Sequence, residues 1–216
     1  MKDIGIKVIR VFFVLLAVAV IVYMAFIEAN PSSVNVVTNY LLLVNISVIA
    51  YILTSFKLGN IQPLICFKLF PLKTYSVLRY RLGDLVKDKL WFVVFIIAPL
   101  FLLFNSQLSL SHSIFIIILT FLQLFISIII MLGLWDRFYL KDEDINNRLF
   151  LIVPAIAGLN SFIQDSNLQF LNPFGGISAF LYKLIPIFGY TTILIIMLIV
   201  ISLLHLFYKK FTEYIH

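Results

Sequence analysis

Charged residues are scarce in this sequence. Only 12% of its 216 residues are Asp, Glu, Lys or Arg, whereas about a quarter of a soluble globular chain is charged. Hydrophobic residues make up 62%, and the mean hydropathy is +1.10. A soluble fold of this length cannot bury so much apolar surface, so the composition predicts a polytopic membrane protein.

Residue types that carry chemistry are also rare. The single cysteine, Cys66, excludes an internal disulfide and a multi-cysteine metal site. The three histidines, His112, His205 and His216, are far apart and lack a neighbouring acidic cluster, unlike the paired histidines of membrane metalloproteases. The chain has neither a G-x-S-x-G motif for a serine nucleophile nor a G-x-x-x-x-G-K-[ST] motif for ATP hydrolysis. We therefore expect no enzyme activity, no metal site and no cofactor in this chain.

Long apolar runs are what the sequence has in abundance. The runs at 11–27 and 191–208 are each close to the ~20 helical residues that cross a bilayer. Turn-forming residues separate further apolar runs. We expect an all-α polytopic protein with a single transmembrane domain over 1–216. Its six predicted spans are approximately 9–27, 36–56, 88–105, 113–135, 149–163 and 190–208.

The basic residues are distributed unevenly between the two sides of such a protein. Fifteen of the 16 Lys and Arg residues fall on one side, in 1–10, 57–89, 136–148 and 209–210, and only Lys183 falls on the other. Cytoplasmic loops hold the excess of Lys and Arg in membrane proteins. We therefore expect both termini in the cytoplasm.

The predicted cytoplasmic loop 57–89 is longer than this charge rule requires. A short apolar segment at 60–70 is followed by Pro71, and a helix is predicted from Thr74. Its apolar positions are Tyr75, Leu78, Leu82 and Leu85, while Lys73, Arg79, Arg81, Asp84 and Asp88 take other faces. Such a helix can lie on anionic headgroups or dock on a cytoplasmic partner, and the loop alone does not decide between the two.

Polar residues inside the spans are few, and no charged residue lies in the middle of any span. Ion-coupled transporters usually need a carboxylate there, so the energy for any transport must come from elsewhere. Four amides could line a pathway, although interhelical hydrogen bonding is the ordinary role of such residues. They are Asn39, Asn45, Gln123 and Asn160.

Two stretches occupy informative positions between the predicted spans. "FPLKTYSVLRYRL" at 70–82 leads into the third span, and "LNPFGGISAFLYKLIP" at 171–186 separates the fifth from the sixth. Their placement resembles that of the small permease subunits of type-2 ABC exporters, which include bacterial exporters of peptides and antimicrobials. In that family a coupling helix between helices two and three docks on a separate ATPase. A proline-containing turn and short helices follow helix five on the outside.

The resemblance implies roles for particular residues. It implies an outer lid at Phe170, Pro173 and Phe174, for which interfacial anchoring without gating is the alternative. It also implies a coupling segment that contacts the ATPase through Ile61, Gln62, Leu64, Ile65, Phe67, Lys68 and Phe70. Aromatic anchors there would bury in a cleft of the partner, and the lysine would pair with an acid at the rim.

The expected function follows from the resemblance and from the apolar character of the spans. We expect a permease subunit of a bacterial cytoplasmic membrane that exports a hydrophobic or amphipathic cargo, such as a peptide, an antibiotic or a lipid-like molecule. Its expected partners are an ABC ATPase that binds ATP and Mg, and a second permease copy or paralogue; nucleic acid is not expected. The alternative is a membrane protein that transports nothing, such as a bacteriocin or toxin immunity factor.

Overall fold

The structure is a computed structural model of the chain. Its described residues are helical wherever they form regular structure, and no strand occurs among them. The prediction of an all-helical protein is confirmed for this part of the chain. The described residues are 8, 11, 12, 15, 19, 37, 38, 40–42, 44, 45, 74–86, 108–139, 155, 167–172 and 174–213.

Four α-helices and one short 3₁₀ helix, Asn167–Leu171, form the continuous described elements. The α-helices are α1 (Thr74–Val86), α2 (Leu110–Tyr139), α3 (Gly176–Lys183) and α4 (Ile185–Glu213).

Two of these helices are long and apolar enough to cross a membrane. The stretches are Leu110–Leu134 in α2, with 25 residues, and Ile185–Lys210 in α4, with 26. At ~1.5 Å per residue Leu110–Leu134 is about 38 Å long, and the part of α4 from Tyr190 to Lys210 is about 32 Å long, so both reach across the ~30 Å hydrocarbon core of a bilayer. They coincide with the predicted spans 113–135 and 190–208. The other four predicted spans lie largely or wholly outside the described residues.

Helices α2 and α4 run parallel and pack along their length. Their N-terminal ends meet where His112 contacts Tyr190. Their C-terminal ends meet where Gly133 faces the ring of Tyr208. In the most apolar stretch of α2 67% of the residues are buried, against 11% in α4. Helix α2 therefore lies inside the packed core, and α4 lies at its edge with one apolar face exposed.

Local sequence explains where the two long helices begin. Ser109 precedes α2 and its hydroxyl accepts a hydrogen bond from the backbone N–H of His112 at 3.3 Å, which is the geometry of a helix N-cap. Near the start of α4, Gly189 has φ 74° and ψ 167°, a region that only glycine adopts readily. Gly189 therefore breaks α4 into a first turn and a long helix that starts at Tyr190.

Helix α1 begins at Thr74, as the sequence predicts. Val77 and Leu78 are buried, and Arg79 is exposed. Arg81 was expected on a polar face, but the structure buries it to 1% exposure. The reason is helical periodicity: Arg81 follows Val77 and Leu78 by four and three residues, which puts it on their face of the helix.

Candidate functional site

A histidine bridges two tyrosines at the N-terminal ends of α2 and α4. The Nδ1 atom of His112 lies 2.9 Å from the hydroxyl oxygen of Tyr190, and its Nε2 atom lies 2.8 Å from that of Tyr182. Both tyrosine rings meet the imidazole edge-on, with ring centroids 5.9 Å apart. We call His112, Tyr182 and Tyr190 the His112 clamp. It ties together the starts of α2 and α4 and the end of α3.

The clamp spans the break in the chain at Gly189. Tyr182 precedes the break and Tyr190 follows it, so one imidazole holds both sides of the turn. A neutral imidazole donates one hydrogen bond and accepts the other, and a tyrosine hydroxyl can play either part. Burial raises the pKa of the Tyr182 phenol, and the neighbouring Tyr190 adds to the effect. Tyr182 therefore remains a neutral hydroxyl in the folded protein at physiological pH.

Helix α3 packs against α2 between the middle of α2 and its N-terminal end. The backbone N–H of Ser178 donates to Oε1 of Gln123 at 3.1 Å, and Tyr182 reaches His112. Gln123 lies 11 residues beyond His112 in α2, which corresponds to about 16 Å along the helix axis. The start of α3 thus lies near the middle of α2, and its end returns to the N-terminal end.

A glycine permits close packing just before α3. Gly175, the residue before α3, has φ 98°. A Cβ atom there would lie 3.0 Å from the carbonyl oxygen of Leu41 and 3.1 Å from the Cα of Leu42. Because both neighbours are backbone atoms, neither can move away easily. Only glycine fits the conformation and the close approach together.

A chain of buried polar side chains continues from the start of α3. The Nε2 atom of Gln123 donates to the Ser127 hydroxyl at 3.4 Å, and that hydroxyl donates to Oδ1 of Asn45 at 2.7 Å. Asn45 in turn donates from Nδ2 to the carbonyl oxygen of Leu41 at 2.7 Å. We call Asn45, Gln123, Ser127 and Ser178 the polar chain. All four are fully buried, so their hydrogen bonds hold three segments of the protein together.

A second contact lies at the opposite ends of α2 and α4. The guanidinium Nη1 of Arg81 donates to the hydroxyl of Tyr208 at 3.5 Å, the long limit of a hydrogen bond. Both side chains are buried. Helix α1 is therefore attached to the C-terminal end of α4. The exposed basic residues Lys209 and Lys210 lie at this same end, while Lys183 lies near the His112 clamp.

The structure describes some of the residues predicted as functional. Asn45 and Gln123, predicted as pathway residues, are brought together in the buried polar chain. Phe170 is 45% exposed and packs against Phe180 at 5.6 Å between ring centroids, whereas Phe174 is buried. The predicted residues outside the described part are Asn39, Asn160, Pro173 and the coupling residues Ile61, Gln62, Leu64, Ile65, Phe67, Lys68 and Phe70.

Sequence reasoning missed the His112 clamp and the Arg81 contact. The spacing of Arg81 from Val77 and Leu78 could have predicted its burial. No local pattern predicts the clamp, because its tyrosines lie 70 and 78 residues from His112. Within the described ranges, no three His, Cys, Asp or Glu residues come together as metal ligands could.

No protein-family model matches this chain, and no curated protein or solved structure matches it.

Proposed function

We propose that the chain is the permease subunit of a type-2 ABC exporter. It has six transmembrane spans, with both termini on the cytoplasmic side of a bacterial membrane. Two permeases, identical or paralogous, pair with two copies of a separate ATPase. The complex exports a hydrophobic or amphipathic molecule, and this chain itself does not hydrolyse ATP.

The observation that carries the proposal is the attachment of α1 to α4. The predicted coupling segment ends at Phe70, four residues before α1 begins. Helix α1 is fixed to the end of α4 by the buried pair Arg81 and Tyr208. A movement imposed on the coupling segment by an ATPase would therefore pass through α1 to a long helix. An interfacial helix that only covers lipid headgroups needs no such buried connection to a span.

The charge distribution supports the proposed orientation. The exposed residues Arg79, Lys209 and Lys210 lie together at the α1 end of the helix pair. Lys183 lies at the opposite end, beside the residues of the His112 clamp. Because Lys and Arg are enriched on the cytoplasmic side, the α1 end faces the cytoplasm. Parallel α2 and α4 fit the fourth and sixth spans of a six-span chain, which must run in the same direction.

The His112 clamp would transmit a tilt of α4 to α3 at the outer end of the helix pair. Helix α4 from Tyr190 onward is continuous, so a tilt imposed at Tyr208 also displaces Tyr190. Gly189 supplies a hinge at this point, and hinges absorb such rotations through a few backbone angles. His112 transmits or resists the displacement because it holds Tyr182 of α3 as well. Helix α3 thus acts as an outer gate whose position depends on α4.

The proposed cargo class depends on which side chains can line a pathway. Gln123 and Asn45 form hydrogen bonds to other residues of the same chain, so we assign them to stabilising the fold and not to contacting cargo. The pathway lies between two permeases and is lined by apolar and weakly polar side chains. Such a lining favours a peptide, antibiotic or lipid-like cargo over an ion or a sugar.

Affinity purification from native membranes in mild detergent tests the proposal. We expect a Walker-motif ATPase to co-purify in stoichiometric amount, and to be lost when Phe67 and Phe70 are both replaced by alanine. The matched control is Phe170→Ala, which removes an exposed phenylalanine at the other end and should retain the ATPase. Intact, abundant protein without an ATPase in several detergents would contradict the proposal and favour a binding or immunity role.

A further inference from the structure

An apolar cleft lies between α2 and α4 near their C-terminal ends. Its volume is about 190 Å³, and almost all of its surface is apolar. Phe207 on its rim is 72% exposed, so the cleft opens to the outside of the helix pair. Its walls are formed chiefly by Ile130, Gly133, Leu134, Leu204, Phe207 and Tyr208.

Gly133 of α2 lines the cleft where the two helices meet. A Cβ atom on Gly133 would lie 3.7 Å from the Tyr208 ring, which is an ordinary packing distance. Alanine would therefore be accommodated here, and a longer side chain would extend into the cleft. Glycine inside a helix is about 0.5–1 kcal/mol less stable than alanine, so the absence of a side chain at Gly133 lowers the stability of α2.

A second depression adjoins the cleft and carries positive charge. It has a volume of about 410 Å³ and shares Phe207 with the cleft. The other residues that line it within the described part of the chain are Leu203, Leu206, Lys209 and Lys210, all on α4. Lys210 is the last residue of the stretch of α4 that is long and apolar enough to cross a membrane. If α4 crosses a bilayer, the apolar cleft leads to two lysines near the lipid headgroups.

We propose that this composite site binds one anionic phospholipid. An acyl chain occupies the cleft, and the headgroup phosphate lies against Lys209 and Lys210. The cleft volume exceeds the ~150 Å³ of an engineered protein cavity that binds benzene, so it can hold a segment of hydrocarbon. Basic pockets between transmembrane helices are known to select anionic headgroups. The inference requires only that α2 and α4 cross a bilayer, and it does not depend on the exporter proposal.

The chemistry favours a lipid over other occupants of an apolar cleft. A neighbouring helix would cover the apolar face of α4, whereas the cleft continues into a depression lined by two lysines. A soluble anion would use the lysines and leave the apolar part empty. A phospholipid is the molecule whose apolar and anionic parts match both depressions, and the surrounding bilayer supplies it.

Native mass spectrometry of the purified full chain measures the binding. The protein is equilibrated in detergent with equal amounts of phosphatidylglycerol and phosphatidylcholine, and the retained lipid adducts are counted. We expect the wild type to retain phosphatidylglycerol preferentially, with one adduct dominant. Lys209→Gln and Lys210→Gln should each reduce that preference about fivefold, because one basic residue near the surface contributes ~1 kcal/mol to binding anionic lipid.

A cleft-filling variant separates the proposed site from general charge attraction. Gly133→Leu leaves both lysines in place, and we expect it to abolish the dominant adduct. The matched control is Ser202→Leu, which adds the same side chain on an exposed position of α4 that does not line the cleft. Lys183→Gln controls for loss of charge at the opposite end. Equal retention of the two lipids by the wild type, or an unchanged adduct in Gly133→Leu, would overturn the proposal.

Discussion

Replacing Gly175 with alanine should weaken the folded state much more than the same change at Gly83 or Gly133. The added Cβ would lie 3.0 Å and 3.1 Å from backbone atoms of Leu41 and Leu42. The positive φ of 98° adds a second penalty. An alanine in left-handed backbone costs about 1–2 kcal/mol, and overpacking costs about 1–3 kcal/mol. We therefore expect a loss of about 2–5 kcal/mol in the free energy of unfolding.

Reversible unfolding in mixed micelles of mild detergent and SDS measures this loss. Two other glycines provide matched controls within helices, because alanine meets nothing within 4 Å at Gly83 and only an ordinary 3.7 Å contact at Gly133. Alanine at either position should be neutral or stabilise by up to about 1 kcal/mol, as expected from helix propensity. An unfolding midpoint for Gly175→Ala equal to those of the controls would refute the close docking of α3 against residues 41 and 42.

Three further predictions address the polar chain, the orientation and the His112 clamp. Gln123→Leu leaves the Ser178 N–H without its acceptor and should lower the free energy of unfolding by about 1–2 kcal/mol in the same assay; an unchanged value would contradict the buried hydrogen bond. In a cysteine-free background, an impermeant thiol reagent added to intact cells should label Lys183→Cys but not Lys210→Cys, and the reverse pattern would invert the proposed topology. Because its pKa is raised in the folded state, Tyr182 contributes stability that is fully present below the unfolded pKa near 10. This contribution falls as the pH rises above that value; pH-dependent unfolding of Tyr182→Phe should lose this part of the slope.

The sequence predicted the elements that depend on local pattern. The start of α1 at Thr74 follows from Pro71 and the apolar spacing after it. The long helices α2 and α4 follow from uninterrupted apolar runs. These features need only hydrophobic periodicity and turn residues, which neighbouring positions encode.

The tertiary features were not predictable in the same way. The depth of α3 depends on the hydrogen bond between Ser178 and Gln123, which are 55 residues apart. His112 was set aside as a metal ligand because the three histidines are far apart and lack an acidic cluster. Its contacts with Tyr182 and Tyr190 were not predicted, because those partners lie 70 and 78 residues away. Arg81 was assigned to a polar face because it is charged. It is buried because it lies on the same face of α1 as Val77 and Leu78.

The buried arginine bears directly on how a movement of α1 would reach α4. Burying a charge is costly even where partners compensate it, so the burial of Arg81 is weak evidence for a purely stabilising role. Its position between α1 and the end of α4 gives it a mechanical role in the proposed exporter. Removing it should loosen α1 from α4 and uncouple ATP hydrolysis from transport, while an ATPase docked at 61–70 stays bound.

Site-specific photo-crosslinking in membranes can show whether the segment before α1 contacts an ATPase, as the proposed exporter requires. A photoreactive phenylalanine analogue is placed at Phe67 in the full chain within native membranes, and at Phe170 as the control. We expect a covalent product between position 67 and a nucleotide-binding subunit, and none from position 170. Efficient incorporation at 67 with no product beyond lipid adducts would rule out this contact and leave α1 as a helix that serves only the membrane surface.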